Sequence, residues 1–216
     1  MTGGCDRLGR VELAEVLRRR RMVRRYDAAR DVPDGVVERV LRAAVRAPSA
    51  GFAQGVDLLV LRSAADRRRF WVSQAGEAAV AAPSAWLAGM AAAPVVVAVL
   101  SSPAAYLDRY AAEDKAAAGR RQGPGAWPIP YWDVDAGMSA LLILLAAVDE
   151  GLGACFFGLR TDGGHERFAE AFGVPADRRC VGAVTVGHPA PGEQPPSSAT
   201  RRARRPLTDV VHQGRW

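Results

Sequence analysis

Cysteine and histidine are scarce in this chain, at three of each in 216 residues. Cys5, Cys155 and Cys180 are widely spaced, contain no Cys-x-x-Cys pair and cannot all be bridged. That excludes a disulfide scaffold and suits a reducing, cytoplasmic setting. His165, His188 and His212 fall in no His-Glu-x-x-His or mixed Cys/His ligand spacing, so no metal site is expected. There is no 20-residue apolar run, and the first residues, Met1-Thr2-Gly3-Gly4-Cys5-Asp6-Arg7, lack the apolar core of a secretory leader. Neither a membrane span nor a leader is expected. A basic recognition helix, a zinc finger and an RNP-type aromatic strand are also missing. The net charge of +6 is concentrated in residues 18–25 and 201–205. Two compact clusters suit contacts to one small anion better than a stripe that tracks nucleic acid, so no nucleic-acid partner is expected.

Apolar residues, by contrast, are plentiful. They make up 49% of the chain, enough for one domain with its own core. A single domain over residues 1–216 is expected, with 1–10 and about 190–200 flexible. Apolar spacing predicts a helix over residues 11–20, with Leu13, Val16, Leu17 and Arg20 on one face and Glu15 placed to pair with Arg19. After Pro33-Asp34-Gly35 a second helix is predicted to about residue 46, capped by Asp34, with Val37, Val40, Leu41 and Ala44 inward.

Residues 48–55 read as a loop of small residues, 56–61 as a strand, 64–82 as a helix, 94–100 as a buried strand and 103–118 as a helix. Residues 119–130, rich in Gly, Pro and Trp, read as a loop or lid. A helix is predicted over 131–150. Its middle, 136–148, is apolar on every side except Ser139, the pattern of a helix buried all round. Strands are predicted at 155–159 and 179–186, with a helix at 164–172 between them. The tail from Pro189 is rich in Pro, Ser and Arg and ends in an ordered-looking stretch at 207–212. Helices interspersed with about four short strands make an α+β domain.

Six arginines occupy the eight positions 18–25. Guanidinium is a planar fork that matches phosphate oxygens bidentately. Alone, the cluster reads slightly better as a solvated basic helix end, favoured by the helix dipole. Three further segments shift that balance. They are Pro48-Ser49-Ala50-Gly51-Phe52-Ala53-Gln54, Gly151-Leu152-Gly153-Ala154-Cys155-Phe156-Phe157-Gly158 and Arg202-Ala203-Arg204-Arg205-Pro206-Leu207.

With Arg20-Arg21-Met22-Val23-Arg24 ahead of them, these segments in this order resemble the nitroreductase family of FMN-dependent flavoproteins, from about Glu12 to the C-terminus. The resemblance implies an α+β sandwich with a central, mainly antiparallel sheet flanked by helices. It also implies a homodimer with two FMN sites at its interface. The phosphate and ribityl end of FMN would lie on Arg20, Arg21 and Arg24. The family's serine in this turn is Met22 here, whose thioether cannot donate. The loop that reaches FMN from the other subunit maps to Pro48, Ser49, Ala50, Phe52 and Gln54, with Phe52 where the family has asparagine. Backbone N–H groups of Phe157 and Gly158 would approach the flavin N5, and Arg202 and Arg204 would meet the phosphate and the N1/O2 side.

The implied activity is a ping-pong hydride transfer from NADH or NADPH through FMN to a nitroaromatic, quinone or related planar acceptor. Chemistry resides on the flavin, and no catalytic side chain is assigned. Phe52, Trp127, Tyr131 and Trp132 are the expected walls of the substrate pocket. The substitutions at Met22 and Phe52 mark a divergent subfamily. They leave room for an FMN-dependent tailoring dehydrogenase or flavin-fragmenting enzyme without a nicotinamide donor, or for a flavin-storage or sensing protein. Cys155 is expected to pack in the core rather than act as a nucleophile.

Overall fold

The computed structural model describes residues 12–116, 127–160, 162–193 and 202–216. Cys5 and the expectations for residues 1–10, for most of the 119–130 loop and for 194–200 lie outside the described residues. A four-stranded antiparallel sheet forms the centre, in the order β1-β2-β4-β3. The strands are β1 (Val56–Leu61), β2 (Val95–Ser101), β3 (Gly153–Phe157) and β4 (Arg179–Gly187).

Every residue of β2 is buried, because the strand is covered on both faces. Alternate side chains go to opposite sides. Val96, Ala98 and Leu100 meet Phe70, Trp71, Met90 and Phe168. Val95, Val97 and Val99 meet Val37, Val40, Ala140, Ile143 and Ala147. The first layer is built by α3 (Ala64–Ala75), α5 (Ala85–Ala91) and α9 (Gly164–Phe172). The second is built by α2 (Asp34–Ala44) and α8 (Tyr131–Asp149). Full burial of each such side chain contributes about 1.5–3 kcal/mol. A nearly continuous apolar run is therefore what a strand clothed on both faces requires.

Several boundaries differ from the sequence reading. The helix predicted over 64–82 is broken at Gly76, whose φ of 82° ends α3. A short α4 (Glu77–Ala81) follows, and then α5, which the sequence reading missed. Ser63 and Ser84 cap α3 and α5 by accepting N–H bonds from Asp66 and Leu87. The helix predicted over 103–118 is divided at the extended Ala112 into α6 (Pro103–Ala111) and α7 (Glu113–Ala116). Asp34 does not cap α2. It is the first helical residue, and its carboxylate pairs with Arg62.

The first helix, α1 (Leu13–Arg19), buries only Val16, leaving Leu13 64% and Leu17 56% exposed. Nor is α8 covered all round. By length and composition it is apolar enough to cross a membrane, but it lies against the sheet. Val134, Met138 and Leu141 form an exposed stripe on it. Ser139 donates to the Ala44 carbonyl at 3.0 Å and ties α8 to α2.

Candidate functional site

The arginine turn leaves α1 and runs alongside β3. Met22 bridges Ala154 in parallel, and the Val23 N–H donates to the Ala154 carbonyl at 3.0 Å. The chain then pairs with residues 188–190, where Asp27 donates to the His188 carbonyl and Ala190 to the Arg25 carbonyl, both at 2.9 Å. Tyr26 locks this arrangement from within. Its buried hydroxyl donates to the Val23 carbonyl at 2.8 Å and lies 2.9 Å from Thr185 Oγ1. Burial holds the phenol well above its ordinary pKa, so it stays a donor. The half-buried Met22 side chain packs against both cores. The residue standing in the place of the family's serine is thus a packing residue, and its main chain still carries the turn.

The arginines have distinct environments. Arg18 forms a two-pronged pair with Glu15 at 2.6–2.7 Å and Arg19 lies 4.0 Å from the same carboxylate. Arg21 is committed to Glu193, donating to its carbonyl at 3.2 Å and lying 3.7 Å from its carboxylate. The same carboxylate accepts the Arg24 backbone N–H at 3.1 Å. Sequence reasoning missed Glu193, because only the pairing of residues 188–190 with the turn brings it there.

Arg24's guanidinium neighbours the Cys155 thiol, whose pKa is pushed up by burial and partly offset by that charge. No carboxylate pairs with the side chains of Arg20 or Arg24 among the described residues. Arg21 Nη1 is buried beside the Glu193 carboxylate, its ion-pair partner, beyond hydrogen-bond distance. Two guanidinium groups without a carboxylate partner at one turn fit an anionic group such as a phosphate.

Alongside, a cavity of about 320 Å³ opens beside Phe157 and Gly158, walled by Trp71, Gln74, Ser84, Trp86, Leu87 and Arg160. Phe157 stacks on Trp71 with ring centroids 5.5 Å apart and planes 11° apart. Trp86, 48% exposed, stands edge-on to both rings. Gln74 fixes the far wall by accepting the Arg160 N–H at 3.1 Å and donating to the Gly164 carbonyl at 3.0 Å. The aromatic slot fits a planar ring.

Turn and slot are joined by α5. Gly89, on α5, lets the helix lie against the turn, since an added Cβ would stand 2.5 Å from the Arg24 carbonyl oxygen. Trp86 heads the same helix. Trp71, Gln74, Ser84, Trp86 and Arg160 were not identified from the sequence. Their only local signal was the pair of tryptophans, Trp71 and Trp86.

The loop at 48–54 lies elsewhere on the protomer. It borders a separate cavity of about 590 Å³ lined by Arg46, Pro48, Ser49, Phe52, Gln54, Val56, Leu58 and Ser139, none of which lines the Phe157 slot. Ser49 Oγ accepts the Gln54 N–H at 3.2 Å, and Phe52 is 73% exposed. The Ala50 N–H donates to Asp135 on α8 at 2.7 Å. Trp127 is 8% exposed and packs on Tyr106, Tyr110, Tyr131 and Trp132. These aromatics form a cluster that meets the loop through Tyr110, whose ring lies against Gly51. Arg202 and Arg204 are exposed, and the hydrogen bonds of the described tail stay within it. Within one protomer the structure unites the turn and the Phe157 slot, but not the loop or the tail arginines. No group of three metal-ligating side chains occurs among the described residues.

The model of the Nitroreductase family matches residues 17–188. Solved structures share the fold. A nitroreductase family protein from Clostridium difficile 630 superposes with a TM-score of 0.70 at 18% identity, covering 95% of this chain and 100% of that one. A protein described as a nitroreductase in complex with FMN, from Desulfovibrio desulfuricans, gives 0.60 at 23% identity, covering 96% and 99%. One described as an NADH oxidase, from Clostridium acetobutylicum, gives 0.63 at 21%, covering 93% and 99%. A search of curated proteins returned no match.

Proposed function

The chain belongs to the nitroreductase family, and from that membership we propose that it is an FMN-dependent oxidoreductase. It would take electrons from NADH or NADPH and pass them to a planar acceptor such as a quinone or nitroaromatic. One observation carries this reading. A turn whose Arg20 and Arg24 have no carboxylate partner among the described residues lies against one part of α5, and an aromatic slot lies against the other. A ligand with a phosphate end and a flat ring end matches both.

Arg20 and Arg24 would hold the phosphate end, with Arg202 and Arg204 approaching from the tail. Trp71, Trp86 and Phe157 would wall the ring, and the backbone N–H groups of Phe157 and Gly158 would face its edge. FMN, when bound, supplies reversible two-electron chemistry, so the protein needs no nucleophile. The neighbour solved with FMN and the one named an NADH oxidase support the cofactor and the donor. The slot's walls are aromatic and aliphatic apart from Gln74, Ser84 and Arg160, which favours planar, weakly polar acceptors.

The reading includes a homodimer. Leu13 and Leu17 on α1 and Val134, Met138 and Leu141 on α8 are exposed apolar residues on two helices that touch, a surface that calls for a partner. The loop at 48–54, remote from its own protomer's slot, would then serve the partner's. The deciding test is the visible spectrum of the purified protein, followed by release of the chromophore and by NADH and NADPH oxidation with a quinone. A yellow protein that releases FMN and turns over supports the proposal. A colourless protein that takes up no added FMN overturns it, and a yellow one that neither nicotinamide reduces overturns the donor.

A further inference from the structure

The loop at 48–54 is held in a conformation its sequence does not favour. Gly51, Phe52 and Gln54 have φ of 62°, 57° and 53°, and the last two are non-glycine residues in the left-handed region. Side chains are rare there, and such backbone persists only where its surroundings over-determine it. The structure shows what does so. Asp135 Oδ2 accepts the Ala50 N–H at 2.7 Å. Arg109 Nε donates to the Gly51 carbonyl at 2.9 Å. The Tyr110 ring presses on Gly51 so closely that an added Cβ would stand 2.7 Å from it.

Asp135 is the least expected member. It is 4% exposed on a largely apolar helix, where a carboxylate is costly unless its hydrogen bonds are met. Its Oδ2 also accepts the Tyr106 hydroxyl at 2.6 Å, from a side chain that is fully buried. One bond anchors the acid to the core and the other grips the loop. Above the grip, Phe52 projects into solvent at 73% exposure beside Ser49 and Gln54.

We propose that Asp135 is a positioning residue for flavin binding: through the Ala50 main chain it holds the 48–54 loop in the strained form that presents Ser49, Phe52 and Gln54 to the flavin. The inference rests on the flavin reading above. Its test separates loop from phosphate grip by using two ligands, FMN and riboflavin, which differ only in the phosphate. The flavin-free full chain is titrated with each, following quenching of flavin fluorescence. Asp135→Ala weakens both ligands to the same extent, by about tenfold or more, since a hydrogen bond to a charged group is lost. Asp135→Asn, which keeps an amide oxygen for the Ala50 N–H, recovers most of that affinity. Ser101→Ala, which removes a 2.8 Å bond to Asp133 near the same end of α8, leaves both affinities unchanged and controls for damage to the helix.

Binding of both flavins by Asp135→Ala within about twofold of wild type, an equal loss in Ser101→Ala, or a loss confined to FMN would overturn the inference alone. Failure of the wild type to bind either flavin would overturn the functional reading and the inference with it. Should Asp135→Ala not fold, Arg109→Ala releases the Gly51 carbonyl instead, and it is expected to weaken both flavins equally.

Discussion

Replacing the arginines of the turn one at a time separates those proposed to hold a ligand from the one that holds the protein. Arg20 and Arg24 have no carboxylate partner among the described residues, so truncation removes charge without stranding any. A charge-assisted contact is worth about 1.5–3 kcal/mol. With about 1.4 kcal/mol per tenfold, Arg20→Ala or Arg24→Ala should weaken FMN by roughly 10- to 150-fold. Neither should cost more than about 0.5 kcal/mol of stability, or roughly 2 °C in Tm.

Arg21→Ala is the contrast. It strips the pairing cation from Glu193, whose side chain is only 6% exposed. Arg21 itself is 31% exposed, so solvent screening limits the cost to about 1–2 kcal/mol, or roughly 2–8 °C in Tm. The assays are FMN and riboflavin titrations of the flavin-free protein, with thermal melts of the apo form. Riboflavin lacks the phosphate, so its affinity should be untouched in Arg20→Ala. Equal loss of both ligands in that variant, or unchanged FMN affinity in both Arg20→Ala and Arg24→Ala, refutes the placement of the phosphate.

Other perturbations reach different parts of the molecule. Trp86→Ala removes a half-exposed ring from the slot and should weaken FMN and riboflavin alike by roughly 2- to 12-fold, the worth of one aromatic pair, with little change in Tm. Equal affinities for wild type and variant would place the ring elsewhere. Leu141→Glu puts a charge in the exposed stripe of α8 and should shift the protein to a monomer in sedimentation; a dimer of unchanged dissociation constant would move the interface off this helix. Burial pushes the Cys180 thiol up to about 12. Its folded pKa is raised, so the stability it contributes is complete below the unfolded thiol's value of roughly 8.5 and is lost as pH climbs toward the folded value. Urea midpoints should fall between about pH 9 and pH 11, and Cys180→Ala should flatten that slope; a slope identical in the variant would assign it to other groups.

Sequence patterning exposed the parts of the fold that depend on local alternation. β1 begins and ends where the apolar run does, α9 sits between its two glycines, and the apolar run of β2 announced a strand covered on both sides. What escaped depended on distant partners. Asp34 has the chemistry of a cap, yet Arg62 claims its carboxylate. Leu13 and Leu17 share a helical face with Val16, but the described residues leave both more than half exposed. Gly76 interrupts what composition alone reads as one helix. In the site as proposed, the motif residues Arg20, Arg24, Phe157 and Gly158 were legible. Trp71, Trp86, Glu193 and Asp135 were not, because each acquires its meaning from a contact more than twenty residues away.

Helix α5 is only seven residues long, yet in the proposed site it would act as a ruler between two ends of one ligand. Gly89 is seated against the arginine turn and Trp86 against the slot, three positions apart and so about 4.5 Å along the axis. That spacing is rigid, because neither end can slide without breaking a packed contact. One residue inserted between them would swing Trp86 by about 100° relative to Gly89, pointing the ring wall away while the turn stayed intact. The molecule would then measure its ligand wrongly without any contacting residue having changed.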